Sequence, residues 1–468
     1  METDGLTLRN GAILPSLSRF YPSLSVYALS ARLTPLLISF VRRTDGLLVS
    51  IFAIGVLMRF LLFVYNLPEN SYDNHLETIS YYAQHQQRPS PTACWQCYQP
   101  PLYYVVAAVV YRSALRVNIS TYRAWKAVQG INTVLSWATL ALIILLIRRC
   151  FPDHPLLTLV LAAVAAALPR DIYASAIISN DYLLVFLTTC SVWVYLLHVA
   201  RPATGSLVGL CFLAAACALT KQHGLLVLLL PGSLLFRYAL KQSPFQARAL
   251  SQPSVLLCLL LLGLGVSDML WKYQQTQILL VSNQHFFPIT EPQLPGSIRL
   301  LDLHSFRLPA LLRHPALSEA TSASYWTVLF ANTWFDYELL FIKPPFRRVV
   351  AGIQYAYGVG LLSCFAWGAL HALATRRLRS MHWTTAPLAC LAVCFFLVPL
   401  LQTLRFPYFS SMKSQFILPA SCVWLLALGY ALRETKLLRV PAVAYSVATV
   451  TVGIALGHVV YLVTHLRC

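Results

Sequence analysis

Long apolar runs separated by short polar junctions dominate this chain. The runs cover about residues 46–66, 125–147, 155–169, 182–199, 205–220, 223–239, 253–271, 349–371, 383–403, 415–432 and 441–464. Crossing a hydrocarbon core as a helix takes roughly 20 residues, and most of these runs are near that length. Backbone groups in lipid must pair internally, which leaves helices or a closed barrel, and no alternating strand pattern is present. The pattern predicts an all-α polytopic membrane protein of about eleven transmembrane helices.

The junctions give the orientation. Arg42 and Arg43 precede the first run, Arg148 and Arg149 follow the second, and Arg201 follows the fourth. Arg237, Lys241 and Arg248 follow the sixth, Arg376, Arg377 and Arg379 the eighth, and Arg433, Lys436 and Arg439 the tenth. Every second junction is basic, so these junctions are expected in the cytoplasm, with the N-terminus inside and the C-terminus outside. Residues 100–115 are also apolar, but counting them as a span would move every later basic junction outside. They open with Pro100 and Pro101 and carry Arg112 and then Arg116, so an amphipathic helix at the outer interface is expected. Four parts follow. Residues 1–45 read as a cytoplasmic leader, since Pro15, Pro22 and Pro35 interrupt any signal-peptide core. Residues 46–271 form an N-terminal transmembrane module that includes a first outer loop at 67–124. Residues 272–348 form a second outer loop, and 349–468 supply the C-terminal helices. Loops of this length in a compact fold are usually functional.

Composition agrees with the pattern. Hydrophobic residues make up 58% of the chain and charged residues 11%, too little polar surface for a water-facing globule of this size. The net charge of +19 is scattered in pairs between apolar runs, so it encodes topology and membrane-lipid contact, and no nucleic-acid partner is expected. Most of the 12 cysteines lie inside apolar runs, where they act as small buried hydrophobes.

With only 16 carboxylates in 468 residues, acids close to a membrane surface stand out. The first outer loop opens with Asp73, Asn74, His75 and Glu77, where a carboxylate can serve as general base toward a hydroxyl or amine. The same residues also suit a hydrated loop. Asp181, in Ile178-Ser179-Asn180-Asp181, begins the fourth run, where these residues can cap a helix or aim a carboxylate into a cavity. Asp73 and Asp181 are also the place where a divalent cation would bind; no other cofactor is expected. Lys221 sits in a tight apolar turn and needs an anion or a headgroup. Arg170, Arg405 and Lys413 lie on the outer side, against the basic-inside trend, as phosphate ligands or as side chains reaching for lipid headgroups. Cys94 and Cys97 form a C-x-x-C in the outer loop, read as a local structural disulfide in an oxidising compartment.

The Asp73/His75 cluster is followed by Tyr81-Tyr82-Ala83, Pro89 and the string Tyr98-Gln99-Pro100-Pro101-Leu102-Tyr103-Tyr104. That order resembles the first periplasmic loop of GT-C glycosyltransferases of the protein-mannosyltransferase and aminoarabinose-transferase type. The Asn180-Asp181 pair, Ala218-Leu219-Thr220-Lys221 with Gly224, and Gln415-Phe416-Ile417-Leu418-Pro419-Ala420 resemble further regions of that family. The similarity covers about residues 46–240 well and 400–430 loosely. Asn74 stands where the family often has Glu, and Gln415 where it usually has Arg. The resemblance implies a bacterial plasma-membrane enzyme with its site facing the periplasm. It implies a polyprenyl-phosphate sugar donor and a glycan, lipid or protein acceptor. Asp73 would then act as general base in an inverting transfer, with His75, Glu77 and Asp181 beside it. Gln99, Tyr103, Tyr104, Asn180, Lys221, Arg405 and Lys413 would bind substrate. Two other readings stand beside it: a lipid-linked glycan flippase or polymerase, and a non-catalytic GT-C-like scaffold.

Overall fold

The computed structural model describes residues 34–68, 73–240, 252–287, 299–338, 347–374, 385–434, 438 and 440–464. Contacts divide the chain into Met1–Gly46, whose described part is the start of the first helix, and Leu47–Cys468, to which everything below belongs. The described elements are helices: α1 Thr34–Tyr65, α2 His75–His85, α3 Leu102–Arg116, α4 Thr121–Cys150, α5 Pro155–Ala167 and α6 Pro169–Ala174. Then come α7 Asp181–Ala200, α8 Thr204–Thr220, a 3-10 turn Gln222–Leu228, α9 Leu229–Leu240 and α10 Gln252–Thr276. The second long loop holds α11 Leu300–His304, α12 Leu308–Arg313, α13 Glu319–Ser322 and α14 Tyr325–Trp334. The C-terminal part is α15 Arg347–Ala374, α16 Ala386–Arg405, three 3-10 turns between Phe409 and Ala420, α17 Ser421–Glu434 and α18 Pro441–Thr464.

Among the described residues, eight helical stretches are long and apolar enough to cross a membrane, and three shorter apolar ones cover 155–167, 204–220 and 418–433. Together they coincide with the eleven expected runs, and the protein is an all-α polytopic membrane protein. Helix α3 is 15 residues long and is not among the stretches that qualify as spans. Residues 241–251, 375–384 and 435–437, which hold Lys241, Arg248, Arg376, Arg377, Arg379 and Lys436, lie outside the described residues, as does the leader before residue 34.

Helix α5 is the hub. Every residue from Leu157 to Ala167 is buried. Lipid offers no hydrophobic drive between helices, so close packing of small side chains holds such a bundle together, and α5 supplies five alanines for it. Gly55 of α1 faces the same hub: a Cβ there would fall 2.6 Å from Leu140 and 3.1 Å from Ala166. The outer helices keep apolar side chains on the exposed side, such as Leu256, Leu260 and Leu264 of α10, as a lipid-facing surface requires.

One polar stripe inside the bundle shapes the site. Gln129, Asn132 and Thr133 share a face of α4, since residues three and four apart are helix neighbours. Gln129 donates to the carbonyls of Ala176 at 2.7 Å and Leu67 at 3.2 Å. Asn132 donates to Ile177 at 2.6 Å and Ser179 at 2.8 Å, and Thr133 to Ser175 at 2.9 Å. These bonds satisfy the non-helical backbone of 175–180, which a low-dielectric surround would otherwise penalise. Arg59 of α1 does the same for α6. It is fully buried, donates to the carbonyls of Gly55 and Ala166 at 3.0 Å each, and pairs with Asp171, whose other oxygen accepts from Tyr182 at 2.8 Å.

Candidate active site

The site gathers six pieces of chain: the start of α2 with the loop after it, α3, α6, the α7 start with the α8 end, the end of α14 with the residues after it, and the turns after α16. Asn74 caps α2 by accepting from Glu77 N at 3.3 Å, and donates to the Glu77 carboxylate at 2.8 Å. Glu77 is exposed and serves this cap, so the structure gives it a local role away from the polar centre. Asp73, one residue before the cap, is half-buried and accepts from Gln96 at 3.3 Å. Gln96 accepts from Gln99 at 3.2 Å, and Gln99 also donates to the Tyr98 hydroxyl at 2.8 Å. Cys94 and Cys97 are joined in a disulfide, and Thr78 of α2 lies 3.3 Å from the Cys94 sulfur, so the turn carrying Gln96 is tied to α2.

His75 is buried, with Nδ1 2.8 Å from the Tyr104 hydroxyl. Burial pushes its imidazole down to about 4; Asp73 and Asp181 pull upward and Lys221 downward, so all three lie within electrostatic reach. Tyr103 and Tyr104 are fully buried on α3, and the Tyr103 hydroxyl has no hydrogen-bond partner. Burial drives both phenols above their ordinary value, so they remain hydrogen-bonding alcohols.

Asn180 and Asp181 do not cap α7 with their side chains. Asn180 donates to the Thr220 carbonyl at 2.9 Å and to Gln99 at 3.4 Å, leaving its own oxygen unpartnered. Asp181 forms a buried ion pair with Lys221. Lys221 thus finds its anion inside the protein, and its ammonium lies 5.4 Å from the Phe416 ring centre. Among the described residues no group of three or more His, Cys, Asp or Glu is placed to hold a metal ion.

A second charged group completes the centre. Glu338, after α14, pairs with Lys413 at 2.6 Å and with Arg170 at 3.8 Å, and accepts from Asn332 at 2.7 Å. The Asn332 oxygen in turn accepts from the Ser414 amide and hydroxyl at 3.0 Å each. Arg170 donates to Gln415 at 2.5 Å, while its buried Nε has no partner. Burial alone would lift the Glu338 carboxyl, but Lys413 and Arg170 outweigh it and hold it below the usual range. Burial works against the Lys413 charge, yet Glu338 and then Asp73 hold its ammonium above its ordinary value. Asp73 is therefore close enough to Lys413 to link the two groups.

Arg405 lies apart from these groups. It is exposed and bonds His285 Nε2 at 2.7 Å, in a surface contact between the second loop and the end of α16. Its helix ends before the chain turns inward at Phe409, on the way to Lys413. Sequence reasoning missed Glu338, Asn332 and Gln96. The signal for Glu338 was the acidic Asp336-Tyr337-Glu338 in a carboxylate-poor chain; for the two amides no signal separates them from ordinary loop residues.

No family model and no curated protein sequence matches the chain. Solved structures do. The chain is similar to the crystal structure of ArnT from Cupriavidus metallidurans in the apo state, at 15% identity over 83% of this chain and 77% of that one, with a TM-score of 0.37. It is also similar to the structure of ArnT from the same organism bound to undecaprenyl phosphate, at 19% identity over 89% of this chain and 77% of that one, with a TM-score of 0.41.

Proposed function

We propose that the chain is a glycosyltransferase that moves a sugar from a polyprenyl-phosphate-linked donor to a hydroxyl or amine on a lipid, glycan or protein acceptor. The transfer takes place at the outer face of a membrane, read here as a bacterial plasma membrane with the site facing the periplasm. The observation that supports this reading is one of charge arrangement. A half-buried carboxylate, Asp73, shares a polar centre with two buried cations, Arg170 and Lys413, and with the carboxylate Glu338 that pairs with both. Such a centre has a base at one side and buried cations at the other. It suits a displacement that takes a proton from one substrate and releases an anion from the other.

In the reaction the acceptor O–H or N–H gives its proton to an Asp73 oxygen as the acceptor atom attacks the anomeric carbon. The bond from that carbon to the donor phosphate oxygen breaks on the far side, and the polyprenyl phosphate leaves with the electron pair, inverting the configuration. Arg170 and Lys413 receive the growing charge on the phosphate; the unpartnered Arg170 Nε is a donor available to it. His75 stays neutral and, with Tyr104, holds the sugar side of the pocket. Asp181 and Lys221 fix the α7 and α8 ends against each other and position Asn180 and Gln99 toward substrate.

The test is transfer of labelled sugar from a panel of polyprenyl-phosphate donors by the protein in proteoliposomes. Product that depends on the protein and carries inverted configuration supports the reading. Absence of transfer from every donor of this class contradicts it.

A further inference from the structure

Away from this centre, the end of α10 nearest the first loop carries a second set of buried charges. Asp268 is buried and accepts two cations: Arg88, from the stretch after α2, and Lys272, one helical turn further along α10 at 2.5 Å. Lys272 is fully buried, and its ammonium makes no hydrogen bond beside that ion contact. The buried Nε of Arg88 is likewise unpartnered, and the guanidinium lies 3.4 Å from the centre of the Trp271 ring.

Among the described residues, two cations on one carboxylate leave one positive charge uncompensated in a low-dielectric place. A buried ion pair with a surplus charge is costly unless a counter-ion completes it. The geometry also gives a route in. The Arg88 side chain keeps about a quarter of its surface open, at 24%, while Lys272 and Asp268 behind it are closed off. A planar guanidinium stacked on an indole, with unused N–H groups, is the arrangement that accepts two oxygens of a phosphate, and the ammonium adds a point charge behind it. Carboxylates are scarce in this chain, so an internal partner is not in ready supply.

We propose that Arg88 and Lys272, braced by Asp268 and Trp271, form an anion site that takes a phosphate group at the membrane surface. The proposal does not depend on sugar transfer. A phosphate there can belong to a lipid headgroup or be free in solution, and the two sources are separable by experiment.

The test uses the full-length protein in nanodiscs of phosphatidylcholine with a minor fraction of phosphatidic acid. Lipid retained after release is read by native mass spectrometry, and inorganic phosphate is titrated separately while thermal unfolding is followed. Wild type is expected to retain phosphatidic acid above its share of the mixture. Loss of one charged hydrogen bond predicts that Lys272→Gln lowers this preference by roughly tenfold or more. Asp268→Asn, which removes the internal competitor, raises it. Arg88→Gln acts at the open edge and lowers it in a protein whose buried Lys272 is intact, so the test survives if Lys272→Gln fails to fold. Stabilisation by inorganic phosphate without lipid retention assigns the site to a free anion. Wild type and Arg88→Gln retaining phosphatidic acid equally, with no stabilisation by phosphate, overturns the proposal.

Discussion

His75 lies within electrostatic reach of Asp73 and Asp181, yet burial outweighs both carboxylates and brings its imidazole down to about 4. The unfolded chain binds this proton near pH 6.5, so the unfolded state is the more protonated one between the two values. Stability from His75 is therefore full above about pH 6.5 and is lost as pH falls toward 4, by up to about 3 kcal/mol. Thermal unfolding in detergent between pH 4.5 and 7.5 should show this slope in wild type and a flatter one in His75→Asn. Equal slopes would mean that His75 is not the group responsible. Lys413 carries the second residue-level expectation. Lys413→Gln should weaken binding of a polyprenyl-phosphate donor by about 1.5–3 kcal/mol, the worth of a charged hydrogen bond, whereas Arg405→Gln should leave it unchanged. Isothermal titration with both variants separates the buried cation from the exposed one. At this scale the sequence was legible where a residue type is rare. Asp73, Asp181 and Lys221 stand out in a chain with few charges, and the structure brings them within reach of His75. Glu338 was not legible, because its meaning comes from Arg170 and Lys413, which are remote in sequence and meet it only in the folded bundle.

Helices position these residues more than loops do. The short α6 carries Arg170 and is pinned by the next residue, Asp171, to Arg59 of α1 and Tyr182 of α7. Arg59→Met keeps the bulk and removes the charge, which leaves Asp171 buried without its cation. Breaking a buried pair costs about 3–5 kcal/mol, and here the loss should also displace Arg170. The double variant Arg59→Met with Asp171→Leu should recover much of the stability, since an apolar pair of similar volume often replaces a buried ion pair well. A thermal-shift comparison in detergent checks both; recovery absent from the double variant would place the cost elsewhere than in the orphaned carboxylate. The apolar runs revealed every span because length and composition alone decide which segments tolerate lipid. The four helices between Leu300 and Trp334 escaped notice. They are short, α12 carries Pro309 in its first turn, and the packing of α14 against Tyr355 and Phe396 is tertiary. The α4 stripe of Gln129, Asn132 and Thr133 was present in the sequence as polar residues on one face of a span, and it marked the irregular backbone that now frames Asn180.

At the scale of the molecule, the bundle places its carboxylates and buried cations where spans end and the chain turns back, while leucines of the outer helices cover the lipid side. Apolar helices supply the wall, and the irregular stretches at 175–180 and 406–420 supply the polar interior. That division is what a reaction between a membrane-bound donor and an acceptor arriving from water requires: an anchored lipid tail, a desolvated charge centre and a base at its edge. The account stands on Asp73 as that base. The most direct measurement is the rate of labelled-sugar transfer from a polyprenyl-phosphate donor in proteoliposomes, compared between wild type and Asp73→Asn, with donor binding measured alongside. The account predicts that Asp73→Asn binds donor as wild type does but transfers about 10²–10⁴-fold more slowly, the usual cost of losing a general base. Transfer by Asp73→Asn at the wild-type rate would contradict it.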